Sequence, residues 1–467
     1  MSEQILECAA LEPAVREAER LRAEKGQLFH DQIAASIYSR AEDIAKDVVS
    51  AAGVKTDWDH KIDRLVTSRI FGYPLMLALL GAVFWLTITG ANYPSALLGD
   101  FFSAIEKQLT ALFTLLGAPA WLHGVVVLGT YRGLAWVVSV MLPPMAIFFP
   151  LFTILEDLGY LPRVAFNLDR VFKHVGAHGK QALTMSMGFG CNAAGVIAAR
   201  IIDSPRERLI AILTNSFVPC NGRFPTLIAI AMIFMGAGAT TALGSLAASA
   251  TVIGLVLIGI AVTLLVSWLL AKTLLRGTPS TFTLELPPYR KPQLLQVIVR
   301  SFFDRTLFLL KRAVVVAAPA GAITWVLANV YIGEISVLAQ VAGWLDPFGR
   351  ALGMDGIIIF SFILGLPANE IVVPILVMSY MAAGAMLEPE SLGALRELLV
   401  FHGWTWLTAL NFMLFSLLHF PCGTTILTIR KETGSVGWAV FGTLMPLAVA
   451  TLVCLLLAQT ARLSGLL

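Results

Sequence analysis

From residue 71 onward the chain alternates long apolar runs with short polar or proline-rich breaks. Runs long enough to cross a bilayer, about 20 residues at ~1.5 Å each, occur at 71–90, 123–155, 209–235, 245–273, 313–333, 355–385, 401–420 and 437–461. This pattern predicts membrane-spanning helices. Residues 1–69 follow a different rule. EPAVREAERLRAEKG (12–26) and FHDQIAASIYSRAEDIAKDVVSAAG (29–53) carry charge on helical spacing, and each stops on a glycine, Gly26 or Gly53, suited to a helix C-cap. DWDHKIDRLVTSR (57–69) then leads into the first apolar run. The 91–122 stretch reads as an amphipathic interfacial segment on the outer side. The expected organisation is an all-α, polytopic transmembrane protein. It comprises a short cytoplasmic helical arm (1–69), a first transmembrane half (70–275), a cytoplasmic linker with an amphipathic segment (276–312) and a second transmembrane half (313–467).

Composition and charge sharpen this picture. The chain of 467 residues is 57% hydrophobic and 13% charged, more apolar surface than a soluble fold can hide. Of 63 charged residues, 23 fall within the first 70. The acidic, polar N-terminus has no signal-peptide pattern, so the arm is expected in the cytoplasm. Basic residues gather at 163–180, 200–208, 276–312 and 430–431, and the positive-inside rule assigns these regions to the cytoplasm as well. Lys61, Arg64 and Arg69 anchor the first span on that side. One apolar run conflicts with simple crossing. Residues 181–199 have basic flanks at both ends, Lys173 and Lys180 before, Arg200, Arg206 and Arg208 after. Such a segment must re-enter or break, and MGFGCNAAG (187–195) lies in its middle. The net charge of +3 says little about partners, because the basic residues mostly lie in loops where they orient the protein; no nucleic-acid partner is expected.

The second half echoes the first. Gly188-Phe-Gly-Cys-Asn-Ala193 aligns with Gly365-Leu-Pro-Ala-Asn-Glu370, placing Asn192 over Asn369. Val218-Pro-Cys-Asn-Gly222 aligns with Phe420-Pro-Cys-Gly-Thr424, placing Cys220 over Cys422. The two offsets, 177 and 202, differ by 25 residues, which the polar insert LEPESLGALREL (387–398) absorbs. Matched helix-breaking motifs in two halves are the pattern of transporter repeats, whose discontinuous helices meet near the bilayer midplane.

If the four breaks converge, they offer Cys191, Asn192, Cys220, Asn221, Asn369, Glu370 and Cys422, with carbonyls of the unwound turns as further ligands. Thiols, amides and one carboxylate suit a borderline-soft divalent metal better than sodium, a sugar or an anion. A glutamate within a span is costly, which marks Glu370 as functional. The bland readings stand beside these. Asn192 and Asn369 could merely cap broken helices, and Glu370 could pair with a buried base. Cys8 and Cys454 read as small hydrophobes, His402 and His419 as structural, and the methionines as core filling. Arg206 and Arg208 could meet a partner or simply anchor topology. The five cysteines contain no CxxC pair, so no disulfide framework is expected. GAHGKQ (176–181) fails as a phosphate loop, because an earlier glycine is missing and Gln181 stands where Ser or Thr must hold magnesium. The expectation is therefore a transporter with no catalytic residues and no permanently bound cofactor.

LEDLGYLPRVAFNLDR (155–170), GFGCN, ARIIDSPRERL (199–209), VPCNGR (218–223), ELPPYRKP (285–292), GLPANEIVVP (365–374) and FPCGTTILTIRKETGSVGWA (420–439) together resemble the membrane domain of the bacterial ferrous-iron transport protein B family. The resemblance covers nearly all of 55–467. It implies two gate-type repeats, a multi-pass protein of the cytoplasmic (inner) membrane, and Fe²⁺ as the transported substrate. It also implies that Cys191, Cys220 and Cys422 are pore or metal residues. Family members carry an N-terminal GTP-binding domain that is not in this sequence, so the resemblance implies either a GTP-binding protein on a separate chain or a shortened form of a longer chain, together with a small cytoplasmic accessory protein and room for a homo-oligomer. Two departures fall at the proposed site. Asn369 stands where the family commonly has Lys, and Asn221-Gly222-Arg223 where it often has Gly-Ala. Two other functions remain open: a gate-fold transporter of a nucleoside or other organic solute, and a non-transporting membrane scaffold or sensor.

Overall fold

The computed structural model describes residues 28–48, 58–68, 70–177, 179–236, 242–277, 293–381, 384 and 392–465, with Pro13, Glu17 and Arg20. The remainder of the 12–26 pattern and most of the polar linker lie outside the described residues. Among those described, the only strands are β1 (Tyr331–Ile332) and β2 (Ile335–Ser336), a small antiparallel pair. Everything else regular is helical.

The arm contributes α1 (Leu28–Val48) and α2 (Trp58–Val66). The first long helix, α3, runs without interruption from Gly72 to Leu115. At 44 residues it is about 66 Å long, roughly twice the hydrocarbon thickness. The stretch from residue 91 is therefore a continuation of the first span and not a separate interfacial segment, with Pro94 accommodated inside the helix. Among the described residues five helices have the length and apolar character to cross a membrane: α3, α4 (Ala120–Asp157), α10 (Ala242–Lys272), the broken pair α17 (Trp406–Leu418) with α18 (Gly423–Thr433), and α19 (Val436–Leu463). A sixth is the sharply bent pair α13 (Val337–Ala351) and α14 (Gly356–Leu364), whose axes meet at 111°. On α10 and α19 the apolar faces stay exposed, with Ile253, Leu257 and Leu265 on one and Leu444, Leu452 and Leu456 on the other. Leucine stripes left uncovered at helical spacing are what a lipid-facing surface requires.

The two halves begin alike. α4 contains a π-helical stretch, Gly124–Tyr131, near its start. In the second half α11 (Leu294–Arg300) passes through another, Ser301–Leu307, into α12 (Phe308–Asn329). α4 and α12 pack antiparallel. Near the start of α4, Gly129 lies against Gly321 towards the end of α12. Towards the other end, Ser301 Oγ donates to Thr153 Oγ1 at 3.0 Å. Two like units whose first helices run in opposite directions form an inverted repeat.

Each half then folds into a hairpin. In the first, α6 (Gln181–Gly190) ends at Cys191, whose backbone is extended (φ −155°, ψ 126°), and α7 (Asn192–Ala198) turns back. Gly195 packs against the Thr184 carbonyl and Asn215, and at the hairpin base Lys180 Nζ reaches the Ile201 carbonyl (2.9 Å) and Asp203 (2.8 Å). In the second, α14 is followed by extended Ala368 (φ −152°, ψ 122°), the single turn Asn369–Ile371, and α15 (Val372–Tyr380). Tyr380 bonds back to Asp355 at the base of that hairpin. The backbone interruption at Cys191 is thus reproduced, within a few degrees, at Ala368.

Each half continues with a broken helix. α8 (Pro205–Thr214) and α9 (Phe224–Phe234) flank the Val218–Arg223 break, and α17 and α18 flank the His419–Cys422 break. Around the latter, the Phe362 ring packs at a tilt against Phe412 (centroids 5.1 Å apart) and Phe415 (4.9 Å) in the main apolar core. At the basic end of the molecule α7 packs on α18, and Arg200 Nε and Nη2 bond Glu432 at 2.6 and 2.8 Å.

The arm is tied to the membrane part through α5 (Tyr160–His174). Arg163 is 1% exposed and bonds Asp63 of α2 at 2.8 and 3.3 Å, with Nη1 on the Gly159 carbonyl. Asp63→Ala leaves a buried guanidinium without its carboxylate. It should cost about 2 kcal/mol and free α2 first, read as faster hydrogen exchange of residues 58–66 with the core unchanged.

Candidate functional site

The four interruptions meet. Two pairs of breaks are joined by backbone bonds of the same design. Asn221 N–H donates to the Gly190 carbonyl (3.3 Å), linking the proline–cysteine turn of the first half to the tip of its hairpin. Gly423 N–H donates to the Leu366 carbonyl (2.6 Å) in the second half. Broken helix ends at membrane depth must find such partners, because no water is there to satisfy them.

Between the tips lies a cavity of about 20 Å³ lined by Cys191, Asn192, Cys220, Asn221, Asn369, Glu370 and Cys422. All seven residues proposed from the sequence are therefore brought together. The rest of the wall comes from Gly190, Gly222, Pro367, Ala368, Thr424, Ala313 of α12, and Met141 and Met145 of α4. Cys191 and Cys220 are each 8% exposed. Cys422 is half-buried, with Sγ 3.3 Å from Thr425 Oγ1. Asn192, with its amide nitrogen facing the Gly188 (3.2 Å) and Val218 (3.1 Å) carbonyls, braces the first hairpin. Its own carbonyl accepts from Asn215 Nδ2 at 2.9 Å. Asn369 is buried and its Oδ1 has no hydrogen-bond partner. Glu370 of the second half lies against Gly222 of the first so closely that a Cβ on Gly222 would overlap its carboxylate. Among the described residues no three His, Cys, Asp or Glu side chains are close enough to share one ion. The donors ring a cavity without closing into a cage.

Two parts of this site were missed by sequence reasoning. Met141 and Met145 pack in the apolar core, as expected, and in addition line the cavity. Their i, i+4 spacing around Pro143-Pro144 was the available signal, since it sets both on one face of a helix with weakened internal bonding. The other is Arg223, 1% exposed, whose Nη1 donates to the Ser216 (2.9 Å) and Leu417 (2.7 Å) carbonyls and Nη2 to His419 (3.3 Å) and Phe420 (3.2 Å). Four of the carbonyls beside the two proline–cysteine breaks, one from the first and three from the second, are thus engaged by Arg223. His419 is structural, as expected: Nδ1 contacts the Phe415 and Ser416 carbonyls, and the ring stacks on Phe415. Arg206 and Arg208 also serve the fold, Arg206 bonding the Leu275 and Gly176 carbonyls and Arg208 the Ile202 carbonyl at 2.9 Å.

A second, roomier cavity of about 720 Å³ opens at the end away from the basic face, between α3, α4 and Pro374 of α15. It is lined by Asp100, Ser103, Ser139 and the ion pair Glu106–Arg132 among others. Ser139 and Val140 line this cavity and Met141 the inner one, so a single helix, α4, borders both.

Inverted repeats whose broken helices close on one small cavity define a multi-pass helical membrane protein. The Gate family model, described as nucleoside recognition, matches residues 138–234 and again 310–436. A model described as the ferrous iron transport protein B C terminus matches 252–304 between them. Together they account for more than half of the chain, and the chain belongs to the ferrous iron transport protein B family. It is 28% identical over 438 residues to the Fe(2+) transporter FeoB of Staphylococcus aureus (strain MSSA476), covering 90% of this chain and 62% of that protein. It is 27% identical over 440 residues to the Fe(2+) transporter FeoB of Methanocaldococcus jannaschii, covering 91% and 62%. A Porphyromonas gingivalis relative, an Fe(2+) transport protein A/Fe(2+) transporter FeoB fusion protein, is 28% identical over 443 residues, covering 85% of this chain and 51% of its own length. The chain thus spans less than two thirds of the curated relatives it matches.

Proposed function

We propose that the chain forms the membrane pathway of a permease carrying ferrous iron, or a similar divalent metal, into the cytoplasm. One observation carries this reading: the seven donor-bearing residues from four separate breaks line one cavity of about 20 Å³. That volume accommodates about one water or one ion. Three thiols, two thioethers, amide oxygens and one carboxylate favour Fe²⁺ over hard cations. A ring of donors too spread to form a closed cage suits an ion that must leave again. The nucleoside alternative is disfavoured by size and by the lining, which includes no aromatic ring.

The 720 Å³ cavity is the proposed access from outside, and the basic end, with Lys180, Arg200 and Arg430, is the cytoplasmic side. On that side the Arg200–Glu432 pair joins the two halves of the chain. A GTP-binding protein acting on the cytoplasmic face, and a small accessory protein of the kind fused to the Porphyromonas relative, are the proposed partners. The nucleotide state of such a partner must favour one pore conformation over another.

The test is Fe²⁺ uptake into proteoliposomes, with a candidate GTPase present and absent. Cys191→Ser, Cys220→Ser, Cys422→Ser and Glu370→Gln should each lower uptake about tenfold or more, the effect of losing ~1.4 kcal/mol of ion binding. Wild-type flux in all four variants would sink the proposal.

A further inference from the structure

An arginine beside a cavity proposed to pass cations needs a reason. In repeat-built transporters, the C-terminal ends of broken helices and their unwound carbonyls are the usual ligands of a sodium-type ion. Here two such ends converge, those of α8 with its following turn and of α17. Arg223 takes one carbonyl from the first, Ser216, and three from the second, Leu417, His419 and Phe420. Its Nε has no partner, so all bonding is through the two terminal nitrogens, and these reach both halves. The corresponding position in the second half, offset like Cys220 and Cys422, is Thr425, whose hydroxyl contacts Cys422 instead. One guanidinium therefore serves both breaks. It follows directly on Gly222, which lines the cavity.

We propose that Arg223 is a specificity-determining residue: a tethered cation that occupies the carbonyl ends of both proline–cysteine breaks and so denies them to hard ions. Its inference rests on the permease reading above. Carbonyl oxygens suit Na⁺ and Ca²⁺, whereas thiols and thioethers suit borderline-soft metals. With the carbonyls engaged, a transported ion meets Cys191, Cys220, Cys422, Met141 and Met145 as its distinguishing ligands. Removing the guanidinium leaves four oxygen acceptors and one fewer positive charge beside Glu370. The freed carbonyls favour hard cations; the lost charge favours any cation alike, and Arg223→Lys, which keeps it, isolates the first effect. A purely structural arginine would lower activity without altering which ions compete.

The experiment measures Co²⁺ binding to the purified full chain in lipid nanodiscs, read by the thiolate-to-cobalt absorption band and titrated against Ca²⁺. In the wild type, about hundredfold excess Ca²⁺ should leave the apparent Co²⁺ affinity unchanged. In Arg223→Gln the same excess should weaken it about tenfold or more, a change of ~1.4 kcal/mol. Arg223→Lys keeps the charge but offers three donors to four carbonyls, so its shift should be smaller but measurable. If Arg223→Gln does not yield monodisperse protein, Arg223→Lys decides alone. Calcium exclusion unchanged from the wild type in the folded variants overturns the inference while leaving the permease reading intact. A wild type that binds no Co²⁺ refutes the permease reading and this inference with it.

Discussion

Gly222→Ala is expected to cut Fe²⁺ uptake about tenfold or more, in line with ~1.4 kcal/mol or more of lost ion binding, while the protein still folds. The cause is local. A Cβ on Gly222 meets the Glu370 carboxylate carbons and oxygen, so the flexible end of Glu370 must leave its place on the cavity wall. Because the obstacle is a side-chain tip and not backbone, the rest of the fold can stay as it is. Glu370→Asp in the same chain retracts the carboxylate by one methylene, and the double variant should recover part of the uptake lost in Gly222→Ala. Comparison of uptake with thermal unfolding midpoints in detergent separates site from stability. Wild-type uptake by Gly222→Ala would remove Glu370 from the proposed ligand set.

Gly321→Ala should have the opposite signature, a loss of stability that precedes any question of transport. Gly129 and Gly321 bring the backbones of α4 and α12 together, and a methyl at Gly321 would run into the Gly129 carbonyl. Backbone cannot swing aside as a side chain does. The two first helices of the halves must separate, at a cost of about 1–3 kcal/mol from overpacking, with a lower unfolding midpoint. Gly81→Ala and Gly254→Ala are the controls, since no atom lies within 4 Å of a Cβ at either position. They should be neutral or slightly stabilising. If all three variants melt together, the α4–α12 approach is not what limits stability.

Much of the fold could be read along the chain because lipid imposes a simple rule: spans must be long, apolar and internally hydrogen-bonded. That rule located most of the helices, and the basic flanks of 181–199 exposed the one run that could not cross, which breaks at Cys191. The echo of GFGCNA in GLPANE anticipated a second break, found at Ala368 with nearly the same backbone angles. The same rule misplaced 91–122. Hydropathy averages cannot tell a helix that leaves the membrane from one that lies on it, and α3 continues to Leu115. The 209–235 run opens where its Pro-Cys-Asn-Gly motif had placed a break, between α8 and α9. Pro219 and Gly222 allow the chain to open there, and the Gly190 carbonyl supplies the partner that holds it open.

The candidate site divides in the same way. Cys191, Cys220, Cys422 and Glu370 could be nominated in advance, since a thiol beside a helix breaker or an acid within a span is unusual at any location. Nothing in one dimension could show that Met141 and Met145 face them, or that Gly222 of one half seats Glu370 of the other. Those facts depend on which faces of distant helices meet. Arg223 is the clearest case. In the linear chain it stands out only as a departure beside the Pro-Cys motif, with no partner to be read from the sequence. Folded, it is buried against four carbonyls from two halves of the molecule.

Residue order alone was thus sufficient for a membrane protein with two related halves and four breaks, because hydrophobic length and backbone satisfaction are local requirements. The convergence of those breaks on one cavity, and the engagement of their carbonyls by a single arginine, arise only when antiparallel packing of α4 and α12 brings the halves together. Long-range contacts are set by the shapes of surfaces built from residues far apart in sequence, and no local pattern specifies them.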